Sequence, residues 1–264
     1  MQVGGQNYLL LYIDQTQSAS IQRFTMPIDI VVNGTTYVVF NDHDPEHFVV
    51  PIPAAATSVQ FDPDAWVLWS TRTSTSYVPG PPKIVETTPA PGEVVELAQG
   101  VDAVEITFHT NVSTVAANYT LVGETTGPQT VTFAYNGGTN TTTLTATGLL
   151  PPDTYTLTVD DALTAVNSGQ HLDGEIADPL DPASLPSGEG VAYGDALIQF
   201  AVVCALGDAD CDANVDLADF AAFQRCFTGA GGTATSGCAM MRFDGDKDVD
   251  LADLALFDDV LLGP

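Results

Sequence analysis

Basic residues are what this sequence has least of. Lys and Arg together number 6 against 34 Asp plus Glu, giving a formal charge of −28. A chain of that sign repels nucleic acid and anionic membranes and attracts cations. Long apolar runs are missing as well: nothing approaches the roughly 20 residues of a membrane span, so membrane insertion is not expected. "NYLLLYI" (7–13) is too short for the apolar core of an export leader, and no basic segment precedes it. His-Glu-x-x-His, Gly-x-Ser-x-Gly, a phosphate loop and a dinucleotide fingerprint are all absent. With them go the usual sequence marks of zinc peptidases, serine hydrolases and nucleotide enzymes, so no catalytic residues are expected in this chain. Cysteine is confined to the acidic last quarter, as Cys204, Cys211, Cys226 and Cys238. An even number there suggests disulfides and an oxidising compartment. Three pairings are open; Cys226 with Cys238 is favoured because the two flank a Gly/Thr-rich loop and would close a short ring. Disulfides without a leader imply a secreted or cell-surface protein whose natural start lies upstream of Met1.

One histidine pattern tests the absence of a zinc site. "FNDHDPEHFVV" (40–50) places His43, Glu46 and His47 at inverted zinc-peptidase spacing. Such a site needs both histidines on one helix face, and Pro45 between them would cost a helix about 3 kcal/mol. The flanking "TYVVF" and "HFVV" instead make this a solvated hairpin loop. His109 and His171 have no second histidine at metal spacing.

What is present is mostly strand. From 1 to about 70, "YLLLYI", "PIDIVV", "TYVVF", "HFVVPI", "SVQF" and "WVLWS" are short β-branched or aromatic runs between turn-rich segments. A second series, "AVEITF", "YTLVG", "QTVTFAY", "TTTLTATG" and "TYTLTVD", alternates with period two, and "ALIQFAVV" (196–203) offers a closing strand. The fold class expected is mainly β: two tandem β-sandwich, Ig-like modules and then a small α-helical module. Residues 1–72 form the first sandwich, 73–83 a Ser/Thr/Pro/Gly linker, 84–203 the second sandwich, and 204–264 the helical module.

The helical module contains a repeat. "VDLADFAAF" (215–223) and "VDLADLALF" (249–257) agree at seven of nine positions, 34 residues apart, each after alternating aspartates. In the first copy Asp208, Asp210, Asp212, Asp216 and Asp219 take loop positions 1, 3, 5, 9 and 12, with Asn214 offering its carbonyl at 7. Alternating acids in a tight loop can converge hard oxygens on one calcium ion, and without a cation they repel. In the second copy Asp244, Asp246, Asp250 and Asp253 take positions 3, 5, 9 and 12, with Asp248 offering its carbonyl at 7 and Arg242 at 1. Lys247, at position 6, stands where glycine is expected. Held at positive φ it would cost about 1 kcal/mol, or about fivefold in affinity. Calcium is therefore expected strongly in the first loop and weakly in the second, where an Arg242–aspartate ion pair is the alternative. Most of Leu217, Phe220, Phe223, Leu251, Leu254 and Phe257 are expected to form a mutual core between two helices.

Three resemblances attach to these strings. The paired loops, each closed by Asp at position 12, resemble a type I dockerin across 205–264. That resemblance implies an EF-hand-like module that folds on calcium and grips a cohesin or another scaffold protein. The departures are Arg242, the insertion "FTGAGGTATSG" between the copies, and Leu217–Ala218 and Leu251–Ala252 in place of a Ser/Thr pair. "LLLYIDQTQ", "FTMPIDIVVNGTTYVVFND" and "FVVPIPAAATSVQFDPDAWVL" resemble the β-sandwich that follows the catalytic domain in M1 (gluzincin) aminopeptidases. The middle strings "PKIVETTPAPGEVV", "VEITFHTNVS" and "LPPDTYTLTVDD" are similar to bacterial Ig-like modules. Together these imply a monomeric, non-catalytic, calcium-binding anchoring protein of a secreted or cell-surface system. The alternatives are the tail of a secreted zinc aminopeptidase or a structural adhesin.

Overall fold

The computed structural model describes residues 1–18, 20–67, 73, 76–212 and 214–261. In the N-terminal part, β1 (Gln2–Val3), β2 (Gln6–Ile13) and β5 (Glu46–Ile52) form one sheet in the order β1-β2-β5. The second sheet runs β4-β3-β6, from β3 (Met26–Val32), β4 (Thr35–Asn41) and β6 (Val59–Phe61). In β3 the alternation of "MPIDIVV" buries Ile28, Ile30 and Val32 together with Val39 and Ile52. Asn33 and Gly34, at φ 51° and 86°, make the two-residue turn that joins β3 to β4. The expected strand "WVLWS" falls largely at 68–70, outside the described residues.

The stretch expected to be a solvated hairpin loop, 42–45, joins strands of different sheets, so it is a crossover. His43 stays half-exposed, as in a wet turn, but the residues that follow the stretch do not. Glu46 and His47 are buried. Glu46 Oε2 accepts from Asn41 Nδ2 and from the Asp42 and His43 amides, at 3.1 and 3.2 Å for the amides. Burial nevertheless holds the Glu46 carboxyl above its ordinary value, against those donors. The carboxylate is spent on closing the crossover.

The middle module is a two-sheet sandwich. Its five-stranded sheet has the order β12-β11-β15-β17-β8, from β8 (Val94–Glu96), β11 (Tyr119–Gly123), β12 (Gly127–Pro128), β15 (Asp153–Val159) and β17 (Ala196–Val203). The facing sheet has the order β13-β14-β9-β7, from β7 (Ile84–Thr88), β9 (Ala103–Phe108), β13 (Val131–Asn136) and β14 (Thr141–Ala146). Short β10 (Val112–Ser113) and β16 (Thr164–Ala165) pair at one end. Between the sheets Ile106, Phe108, Leu144, Tyr155, Leu157, Ile198 and Phe200 are buried in one cluster, with Tyr155 stacked on Phe200 at 5.4 Å. β17 runs antiparallel to β15 and parallel to β8, so it is an interior strand of its sheet.

The expected linker is not a solvated tether along its length: Gly80, Pro81, Pro82 and Lys83 are buried. His47 fills the space where a Cβ on Gly80 would sit, and Lys83 Nζ lies 2.6 Å from the Asp173 carboxylate. The His47 amide donates to Gly190 O at 3.2 Å, and Val85 joins Val3, Tyr8 and Val49 in a cluster across the two sandwiches.

After β17 come two helices, α1 (Leu217–Cys226) and α2 (Leu251–Val260). Each begins on an aspartate N-cap, Asp216 or Asp250, with the third helical residue, Asp219 or Asp253, completing a capping box. Phe223 and Phe257 pack at 5.3 Å in a core that also buries Val215, Met241 and Val249. Disulfides join Cys204 to Cys211 and Cys226 to Cys238. The second is the short ring that the flanking loop favoured.

Candidate metal centre

The first acidic loop begins five residues beyond β17. Asp208 and Asp219 are buried while Asp210 is exposed, and one ligand oxygen from each lies within 4.8 Å of the others. Hydrogen bonds set this convergence. Asp208 Oδ1 accepts from the Asp212 amide at 3.1 Å. Asp219 accepts from the Ala209 and Asp216 amides at 2.7 and 2.9 Å, which ties both ends of the loop to α1. Asp212 stands outside the triangle and accepts from the Asn214 amide at 3.0 Å. Asp216 serves as the N-cap, accepting from Ala218 N at 2.7 Å. Ala213, at loop position 6, lies outside the described residues. The Asp210 carboxyl is held above its ordinary value, first by desolvation and then by Asp212, Asp219 and Asp208. An all-oxygen, mutually repelling donor set of this kind fits a hard divalent cation.

The second loop repeats the scheme at positions 2, 7, 9 and 11, but the position-5 amide of Asp246 donates to Asp244 Oδ1, because position 1 is Arg242. Asp253 accepts from the Phe243 and Asp250 amides at 2.7 and 2.9 Å, Asp246 from the Asp248 amide at 2.9 Å, and Asp250 from Ala252 N at 2.7 Å. Ligand oxygens of Asp244, Asp246 and Asp253 lie within 4.8 Å of one another, and so do those of Asp248, Asp250 and Asp253. Arg242 changes the first of these groups. It is buried and donates from Nε to Asp246 O. Burial pushes its guanidinium below its ordinary value, and Asp246, Asp253, Asp178 and Asp244 pull the other way. Lys247 does not carry the expected positive φ. Among the described residues of the loops, the left-handed ones are at position 4 of each, Cys211 at φ 61° and Gly245 at φ 80°. Lys247 points out of the loop and bridges Asp178 and Asp181 of the middle module, at 2.8 and 2.7 Å. Its ammonium is held above its ordinary value by these two hydrogen bonds.

Leu217 and Leu251, at loop position 10, are 65 % and 70 % exposed, so the mutual core leaves them out. Phe223 and Phe257 are in it, with Phe220 and Leu254 packed against it half-buried.

The structure also assembles Asp160, Asp161 and Asp195 into an acidic group. Sequence spacing could not reveal it, because the pairing of β15 with β17 brings 195 beside 160. Among the described residues, Asp42, His43 and Glu46 also cluster, without His47.

Comparison with known proteins bears on the middle of the chain. Residues 79–177 match the model of the bacterial Ig-like domain. The match begins inside the buried segment before β7 and ends short of β17, which the sheet pairing nonetheless places in the same sandwich. The solved structures to which the chain shows similarity include PcoC, a methionine-rich copper resistance protein from Escherichia coli, and CopC from Methylosinus trichosporium OB3b. Each is 13% identical with a TM-score of 0.30 over 46% of this chain, covering 97% of PcoC and 93% of CopC. No curated protein matches. The chain is mainly β, and its middle carries a bacterial Ig-like domain.

Proposed function

We propose that this is a non-catalytic anchoring or assembly protein of a secreted or cell-surface system, docking through a calcium-dependent, dockerin-like module at 204–264. The observation that carries the reading is the exposure of Leu217 and Leu251 at equivalent positions of two helices that start on acidic loops with the same capping scheme. A duplicated, solvent-facing leucine beside an acidic loop suits a partner with an apolar face, a cohesin-like or other surface scaffold protein. In this reading calcium is structural. A module with so small a core gains folding energy from coordination. The ion neutralises the loop acids, fixes both capping boxes and so presents the two leucines.

The test has two readouts on the full chain. Calcium should raise the unfolding temperature of the module relative to chelator, and Asp208→Ala should remove most of that rise. Capture of exported proteins in calcium buffer should be lost on Leu217→Asp/Leu251→Asp with calcium binding intact. No calcium stabilisation defeats the reading. Calcium binding with no leucine-dependent capture favours a second one, a structural adhesin, which the bacterial Ig-like match also supports.

A further inference from the structure

The two loops carry the same number of aspartates, differently placed. The first has Asp208 at position 1 and Asn214 at position 7; the second has Arg242 at 1 and Asp248 at 7. The carboxylate lost at the start of the loop is regained at its middle. Asn214 is only half-buried, whereas Asp248 is 5 % exposed. The insertion between the repeats accounts for that burial. Thr228 N and Gly229 N donate to Val249 O at 2.9 and 3.1 Å, and Ala234 N donates to Lys247 O at 2.8 Å. The segment 228–234 therefore lies along 247–249 as a wall. From this wall Gly231 N donates to Asp248 Oδ2. Asp248 Oδ1 is buried with no hydrogen-bond partner among the described residues.

A buried carboxylate with an unpaired oxygen is costly unless a cation or proton meets it. The guanidinium of Arg242 does not: its hydrogen bond runs from Nε to Asp246 O, and Asp248 Oδ1 has no partner among the described residues. Asp248 instead shares a 4.8 Å group with Asp250 and Asp253. We propose that the second loop binds a hard divalent cation between Asp248, Asp250 and Asp253, while the Arg242 guanidinium takes the cation's place beside Asp244 and Asp246. This rests on the reading of the loops as cation sites and departs from it in where the second ion sits. The expectation that Asp248 contributes only its backbone carbonyl is replaced by a side-chain role. Arg242 relocates the second ion rather than silencing the loop.

Calcium titration calorimetry on the full chain, in about 150 mM salt so that diffuse ion binding is screened, separates the outcomes. The unaltered chain should bind two ions, and Asp208→Ala should lose one of them. Asp248→Asn keeps the shape and an acceptor for Gly231, and should weaken the other ion at least about tenfold. Asp250→Asn retains a competent N-cap and should do the same, with far-UV circular dichroism confirming that both variants fold. Asp246→Asn should leave both ions within about threefold. If Asp246→Asn removes the second ion and Asp248→Asn does not, the ion sits beside Arg242 and the proposal is wrong. A stoichiometry of one that Asp208→Ala abolishes also overturns it, leaving the anchoring reading intact. No binding by the unaltered chain overturns both.

Discussion

Lys83 offers the sharpest test of how the middle module is held together. Its ammonium lies 2.6 Å from the Asp173 carboxylate, with side-chain exposures of 4% and 0%. Lys83 Nζ also donates to Ser187 O at 3.0 Å, and Asp173 accepts from the Glu189 and Gly190 amides at 2.9 Å each. Lys83→Met keeps the stem and removes the charge, so Asp173 retains two amide donors and loses its counter-charge. Removing one partner of a buried pair costs about 3–5 kcal/mol. Hydrogen exchange of the β9, β15 and β17 amides reads this module by itself, and there the loss is an acceleration of about two to four decades. The deficit should depend on pH. Burial already holds the Asp173 carboxyl above its ordinary value, and Lys83 is the main influence pulling it down. A carboxyl raised in the folded state gives stability that is present when protonated and lost as pH rises through its folded value. Without Lys83 that value rises further, so the variant should recover part of its deficit on acidification. An acceleration below about tenfold at neutral pH, or a deficit that grows in acid, refutes the argument.

Two further predictions concern the same module. Burial holds His109 down to about 4 from 6.5, so its contribution is complete above 6.5 and is lost as pH falls toward 4, about 3 kcal/mol in full. Glu175, pushed up to about 7 from 4.5 by partial desolvation and then by Asp173 and Glu189, acts in the opposite sense, its contribution fading as pH rises from 4.5 to 7. Glu175→Gln should therefore steepen the rise of stability with pH between 4.5 and 6.5 in denaturant titrations, and an unchanged profile would contradict this. Gly92 sits at φ 74° with Leu180 O 2.0 Å from where a Cβ would stand. Gly92→Ala should cost more than the roughly 1–2 kcal/mol of a left-handed residue alone, read as a lowered denaturation midpoint, and a neutral result would mean that the 180 loop yields freely.

Much of the strand content is legible because alternation within a strand is local. "AVEITF" and "YTLVG" are β9 and β11 to the residue, and "LADFAAFQRC" is α1, begun by an aspartate cap. Which strands pair is not local. The turn signal at 42–45 announces a change of direction but cannot say that β4 and β5 lie in different sheets, and so the burial of Glu46 and His47 was hidden. A Ser/Thr/Pro/Gly composition likewise reads as a tether until Lys83 meets Asp173, ninety residues away in sequence. In the acidic loops the aspartate spacing marks the carboxylates that converge. It does not mark which residue takes the left-handed turn, because Cys211 is fixed by its disulfide partner as well as by the loop. Nor does it foretell that Lys247 reaches the middle module, since those partners lie more than sixty residues upstream.

β17 ends at Val203, and the next residue, Cys204, is already cross-linked to Cys211 inside the first acidic loop. The Leu206 amide donates to Glu96 Oε1 beside β8, and Ala201 and Val203 pack against Ala239. No slack chain separates the sandwich from the helical module. A pull on the helices along the strand is therefore delivered directly to an interior strand, hydrogen-bonded on both sides to β15 and β8. Those bonds are loaded together in shear, so they share tension that an edge strand would release one bond at a time. The connection between the modules is mechanically a rod set into a plank rather than a rope tied to its corner.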